Sequence, residues 1–115
     1  MTASLQAAEP RLVLASAAIA RRAVLEGAGL AFTARASAVD EDAIKSSARA
    51  EGLGAADTAL LLADAKAMRL AAKEPEALVI GADQMLVCTI DGAERWFDKP
   101  PSLEAARGHL RLLRG

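Results

Sequence analysis

Two acids and several cations stand in this 115-residue chain where apolar runs give way to loops or helix starts. Asp83 follows the apolar Val79-Ile80, with Gly81 clearing space beside it. Glu41 lies in the acid trio Asp40-Glu41-Asp42. Arg21 and Arg22 come just after the first apolar run, Lys66 lies on a helical segment and Lys99 precedes Pro100. Two carboxylates can share a hard divalent cation, and cations beside them can offset charge on phosphate oxygens, which is what a triphosphate ester needs. Taken singly, each piece has a plainer use: an Asp after a strand suits a turn or cap, Arg-Arg a surface, and Lys-Pro a turn.

Other chemistries lack their parts. His109 is the single histidine; on a helix beside Arg107 and Arg111 it reads as exposed, and it cannot build a histidine metal cluster. No Cys-His or Ser-His-Asp set can be nominated. Cys88 is the single cysteine, so an intrachain disulfide is excluded, a zinc site would lack its usual thiolates, and the usage fits a reducing cytoplasm. Fourteen basic against fifteen acidic residues give no general attraction to nucleic acid or to anionic membranes. The opening residues lack a signal-peptide pattern, and no apolar run approaches the roughly 20 residues a membrane helix needs.

The elements that must position these groups follow from periodicity. Residues 1–10 read as an N-terminal tail and 11–115 as one domain. Arg11 to Ser16 is a short apolar strand. The segment from Ala17 reads as a helix with Ile19, Val24, Leu25 and Ala28 inward, closed by Gly29. Phe32 to Ser37 alternates as a strand that delivers the acid trio to its end. Ser46 to Asp57 reads as a loop or frayed helix, and a long helix starts from a cap at Asp57 or Thr58 and stops before Pro75. On that helix Lys66, Arg69 and Lys73 share a face, with Lys66 pointing outward. Leu78 to Ile80 reads as a central strand. Met85 to Ile90 and Glu94 to Phe97 flank the hairpin signal Asp91-Gly92. Ser102 caps a last helix with Leu103, Ala106, Leu110 and Leu113 inward. Helices alternating with strands, plus a hairpin, predict an α/β fold with a mixed sheet flanked by helices, its sites at strand carboxyl ends.

Read in order, the pieces are "LVLAS" at 12–16, "RR" at 21–22 leading to "LEGAGLAF", "VDE" at 39–41, "LADAKA" at 62–67, "VIGADQ" at 79–84, "DKP" at 98–100 and "EAARGHLRLLRG" at the end. This order resembles the Maf family of nucleoside triphosphate pyrophosphatases, also called septum formation inhibitor proteins, from Arg11 to Gly115. The resemblance implies a Maf or inosine triphosphatase-like α/β fold with a long active-site cleft, usually in a homodimer. It implies attack of water on the α-phosphate of a nucleoside triphosphate, with Mg²⁺ or Mn²⁺, to give the monophosphate and pyrophosphate. It also implies removal of non-standard nucleotides in the cytoplasm and a link to cell-division arrest.

By the same resemblance Asp83 is the catalytic acid that accepts the proton of water, and Glu41 is its metal-binding partner. Lys66 and Lys99 are phosphate-binding lysines; Arg21, with Ser16 beside it, holds the triphosphate, and Arg22 adjoins it. Gln84 and the register of the arginine pair are similar to the branch acting on 7-methyl-GTP, since an amide offers both donor and acceptor to a base edge. Where the family has a Ser-Pro pair this chain has Ala18-Ile19, and Ala20 stands where the branch carries a bulky residue, which opens the choice of base. Family members continue past the length reached here, so the chain is expected to lack a C-terminal part. The rival from another class is a non-catalytic, regulatory nucleotide-binding protein. It would need the cations but neither acid. An RNA-binding module would need a basic surplus and stacking aromatics, and both are missing.

Overall fold

The structure, a computed structural model, describes residues 5–114. The elements run β1 (Leu12–Leu14), α1 (Ile19–Gly27), β2 (Thr33–Ala34), α2 (Glu41–Ala50), α3 (Ala55–Ala71), β3 (Leu78–Ile80), β4 (Leu86–Ile90), β5 (Ala93–Phe97) and α4 (Leu103–Leu113). They fall into two compact units that divide after Asp83.

In the first unit β1 lies between β2 and β3 and is parallel to both, with Val13 opposite Thr33 and Val79. The Leu78 to Ile80 run, expected at the centre, therefore forms an outer strand of this sheet. The central place goes to β1, whose Val13 and Leu14 are fully or almost fully buried. Val13, Ala15 and Leu70 pack together, with Ala77 and Val79 against them. Leu62 of α3 is also buried. Parallel strands bring their carboxyl ends together: the Ala15 amide donates to the Ile80 carbonyl at 2.8 Å, and the Arg35 amide to Leu14 at 2.9 Å. Residues just beyond β1 and β3 are thereby neighbours.

Both glycine-closed helix ends are Schellman turns. After α1, the Gly29 amide reaches Glu26 and the Leu30 amide reaches Leu25; after α2, Gly52 reaches Arg49 and Leu53 reaches Ala48. Gly29 and Gly52 take φ of 78° and 77°, where a Cβ is costly. Several expectations change here. The stretch from Ser46, read as a loop or frayed helix, is regular helix to Ala50, because Asp40 Oδ1 accepts from the Ala43 amide at 3.0 Å and starts α2 earlier. Helix α3 begins at Ala55 rather than Asp57, and Thr58, buried, donates its hydroxyl back to the Gly54 carbonyl at 2.8 Å. Strand β2 is only two residues long, so the acid trio arrives on a helix start, not a strand end. In α1 no residue is buried, and Ile19 and Val24, expected inward, are exposed because no described residue of this unit covers them. Residues 5–10 are more than a loose tail: the Gln6 amide both donates to and accepts from the Ala31 backbone, at 2.8 and 2.7 Å.

The second unit is the β4–β5 hairpin followed by α4. Its antiparallel register sets Leu86 opposite Phe97 and Ile90 opposite Ala93. Asp91 and Gly92 take φ of 51° and 77°, the pair of positive angles a type I′ turn demands. Parallel and antiparallel strands are thus divided between two sheets. Ser102 Oγ caps α4 by accepting from Ala105 at 3.1 Å. Leu103 and Leu110 are exposed rather than inward. His109, expected to be exposed, is half-buried, with its ring edge-on to Phe97 at 5.1 Å.

Candidate functional site

At the carboxyl ends of the parallel strands, side chains from α1, α2, α3 and the chain leaving β3 converge. Lys66 is the hub. It sits in mid-helix on α3, one turn beyond buried Leu62, and the same face carries Leu70. That phase buries it, overturning the expectation of an outward side chain; Arg69 and Lys73, on the next faces, are exposed. The Lys66 ammonium donates to Asp83 Oδ2 at 2.8 Å and pairs with Glu41 Oε1 at 2.8 Å. Lys66 and Asp83 side chains are about nine-tenths buried, whereas Glu41 is 44% exposed. Burial lowers the Lys66 pKa, but the hydrogen bonds and charges of Asp83 and Glu41 outweigh it and hold the ammonium above its ordinary 10.5.

Arg21 approaches from α1. Its Nη2 lies 3.8 Å from Asp83 Oδ1, and its Nη1 donates to Ser16 Oγ at 3.4 Å. Ser16, buried, also accepts from the Ala18 amide at 3.1 Å, which fixes the turn between β1 and α1. Two acids and two cations are therefore brought together as the residues suggested. Arg22 is not: it turns to Glu26 at 2.9 Å on the exposed side of α1. Ala20 lies exposed in the first turn of that helix. Gln84 opens the second unit, and Lys99 lies in its loop between β5 and α4.

Local backbone explains how Asp83 meets Lys66. A Cβ on Gly81 would collide with the Ala63 carbonyl oxygen and stand 2.8 Å from Ala67 Cβ. Glycine on the chain leaving β3 and alanines at 63 and 67 let that chain run directly against α3, and Asp83 follows two residues on. Ser37 is a residue the sequence reading passed over as the end of a strand. Its hydroxyl donates to the Lys66 carbonyl at 2.7 Å, tying the loop that leads to Glu41 onto α3. Its only signal is a small hydroxyl three residues before the capping Asp40.

Both carboxylates turn an oxygen toward one cation position, the point now held by the Lys66 ammonium. Hard oxygen donors of this kind fit Mg²⁺ or Mn²⁺, and magnesium is commonly held by one or two carboxylates plus substrate phosphates. Among the described residues no group of three or more His, Cys, Asp or Glu is arranged to hold a metal. Glu41 and Asp83 are the two residues of this cluster that could hold such an ion.

The family model described as Maf-like protein matches residues 11–115. The chain belongs to the Maf family. A nucleoside triphosphate pyrophosphatase of Granulibacter bethesdensis is 52% identical over 105 residues, which are 91% of this chain and 51% of that relative. One of Rhodospirillum rubrum is 51% identical, covering 92% and 50%. A 7-methyl-GTP pyrophosphatase of Rhizobium meliloti is 48% identical over 107 residues, 93% of this chain and 52% of the relative. This Maf chain spans about half the length of the curated relatives it matches. No helix among its described residues is long and apolar enough to cross a membrane.

Proposed function

We propose that this Maf chain acts in the hydrolysis of a nucleoside triphosphate to the monophosphate and pyrophosphate. The observation that carries the reading is the meeting of Glu41, Lys66, Asp83 and Arg21 at the carboxyl ends of the parallel strands. The names of the relatives support the same reaction. A nucleotide binder would need the two cations, but two acids in the same place add negative charge that repels phosphate. Their presence is explained by proton transfer and ion binding.

In this reading Asp83 accepts the proton of the attacking water as its oxygen bonds to the α-phosphorus, and the bond to the bridging oxygen breaks to release pyrophosphate. Asp83 suits the task because its side chain is about nine-tenths buried and, in the ligand-free chain, is oriented by Lys66 and Arg21. Arg21 can clamp two phosphate oxygens at once, and Lys66 can follow charge on the departing pyrophosphate as a point charge, with Lys99 a further phosphate-binding candidate by the family resemblance alone. Ser16 positions Arg21. By the family resemblance Gln84 and Ala20 are the candidates for base choice, with 7-methyl-GTP among the possible substrates. Glu41 and Asp83 would hold Mg²⁺ or Mn²⁺, which would supply charge neutralisation and polarisation at the phosphoryl oxygens. Arg22 has a lesser place, being paired with Glu26. The same reading extends to a cytoplasmic homodimer.

The test is incubation with Mg²⁺ or Mn²⁺ and a panel of canonical and methylated triphosphates, reading pyrophosphate against phosphate. Pyrophosphate with the monophosphate is the expected pair; release of the terminal phosphate alone would contradict the cleavage site. Asp83→Asn should lower turnover by about 10²–10⁴-fold while nucleotide binding is largely kept.

A further inference from the structure

Lys66 presents a puzzle in the site as proposed. A lysine meant for phosphate is spent on two carboxylates, and those carboxylates are meant for a divalent ion. With Arg21 included, two cations face two acids and the formal charges sum to zero. We propose that Lys66 is an exchangeable cation: in the ligand-free protein its ammonium holds the place between Glu41 and Asp83 that a divalent ion takes over, and the ion's entry releases Lys66 to a phosphate. This inference rests on the reading of Glu41 and Asp83 as the ion's donors.

Three features support the exchange. The backbone of Lys66 is fixed in mid-helix, with its carbonyl also held by Ser37 at 2.7 Å, so the motion is confined to a flexible four-carbon stem. The outer acid, Glu41, is 44% exposed while Lys66 and Asp83 are almost covered, so an ion can reach Glu41 first and displace the ammonium stepwise. Acids left bare at such a position are costly, so one cation should leave only as the other arrives. Adding a divalent ion alone raises the site's formal charge to two positive, and a triphosphate of about four negative charges alone lowers it to about four negative, so each offsets part of the other's charge. Ion and triphosphate should therefore strengthen each other's binding.

Acylation of Lys66 measured by mass spectrometry, with exposed Lys73 as the internal reference, reads the exchange directly. Labelling should be low in the chain alone, rise by about fivefold at saturating Mg²⁺, and fall again when inorganic tripolyphosphate is added. Ion binding is followed separately by the electron paramagnetic resonance of Mn²⁺. If Mn²⁺ binds and Lys66 labelling stays unchanged, the exchange is wrong and the assignment of the acids stands. If Mn²⁺ does not bind, both fail. In Lys66→Met, the affinity for Mn²⁺ without nucleotide should rise by about fivefold or more, because the competing ammonium is gone; an unchanged or weaker affinity overturns the proposal.

Discussion

The two units of this chain solve the problem of order differently. Up to Asp83, β1 is covered by a helix and flanked on both edges by strands, and Val13, Ala15 and Leu62 are sealed from water. From Gln84 onward no described residue is fully buried; register in the hairpin and the Phe97–His109 contact hold the shape. Every short contact among the two acids and two cations described above belongs to the first unit. A carboxylate–ammonium pair needs a dry, fixed frame to keep its geometry, and only the first unit supplies one.

That contrast can be broken by paired substitutions. Leu62→Ala should cost about 2–5 kcal/mol, since it empties a fully buried position one turn from Lys66. Leu110→Ala in α4, 65% exposed, should stay within about 0.5 kcal/mol. Chemical denaturation of both variants decides it; equal losses would mean that the second unit shares the core. Gly81→Ala should cost about 1–3 kcal/mol, because the added methyl meets the Ala63 carbonyl and forces β3 away from α3. Its nucleotide turnover should drop with its stability. A silent Gly81→Ala would show that Asp83 does not depend on that close approach.

The smallest effect is on alkaline stability. Lys66 is held above its unfolded value of 10.5, so its contribution is complete below that pH and is lost as pH climbs through the folded value. The chain has no tyrosine. Melting temperatures measured between pH 8 and 11 should fall more steeply above 10.5 in the parent than in Lys66→Met.

Which groups meet could be read in part from residue types and order, whereas their roles came from the family resemblance. Asp83 after an apolar run with glycine beside it, Glu41 in an acid trio and Arg21 behind a first strand all met as their order suggested. What sequence patterns missed was helix phase. Lys66, Arg69 and Lys73 look alike on a wheel, and only packing against β1 and β3 shows that the first turns inward. Periodicity also named Ile19, Val24, Leu103 and Leu110 as inward residues, yet an apolar stripe states a preference for cover without naming what provides it. Helix starts were placed late because Gly54 supplies no side-chain cap to be noticed, while Thr58 further on looked like one. Ser37 escaped because a hydroxyl that donates to a distant carbonyl leaves no local pattern.

The direct contact of Gly81 with the Ala63 and Ala67 turn of α3 bears on protein engineering. Because only glycine fits there, the path of the chain that carries Asp83 is set by its close approach to α3, while the Lys66 ammonium keeps the freedom of its stem. Libraries built on this chain should therefore hold positions 63, 67 and 81 at their smallest residues.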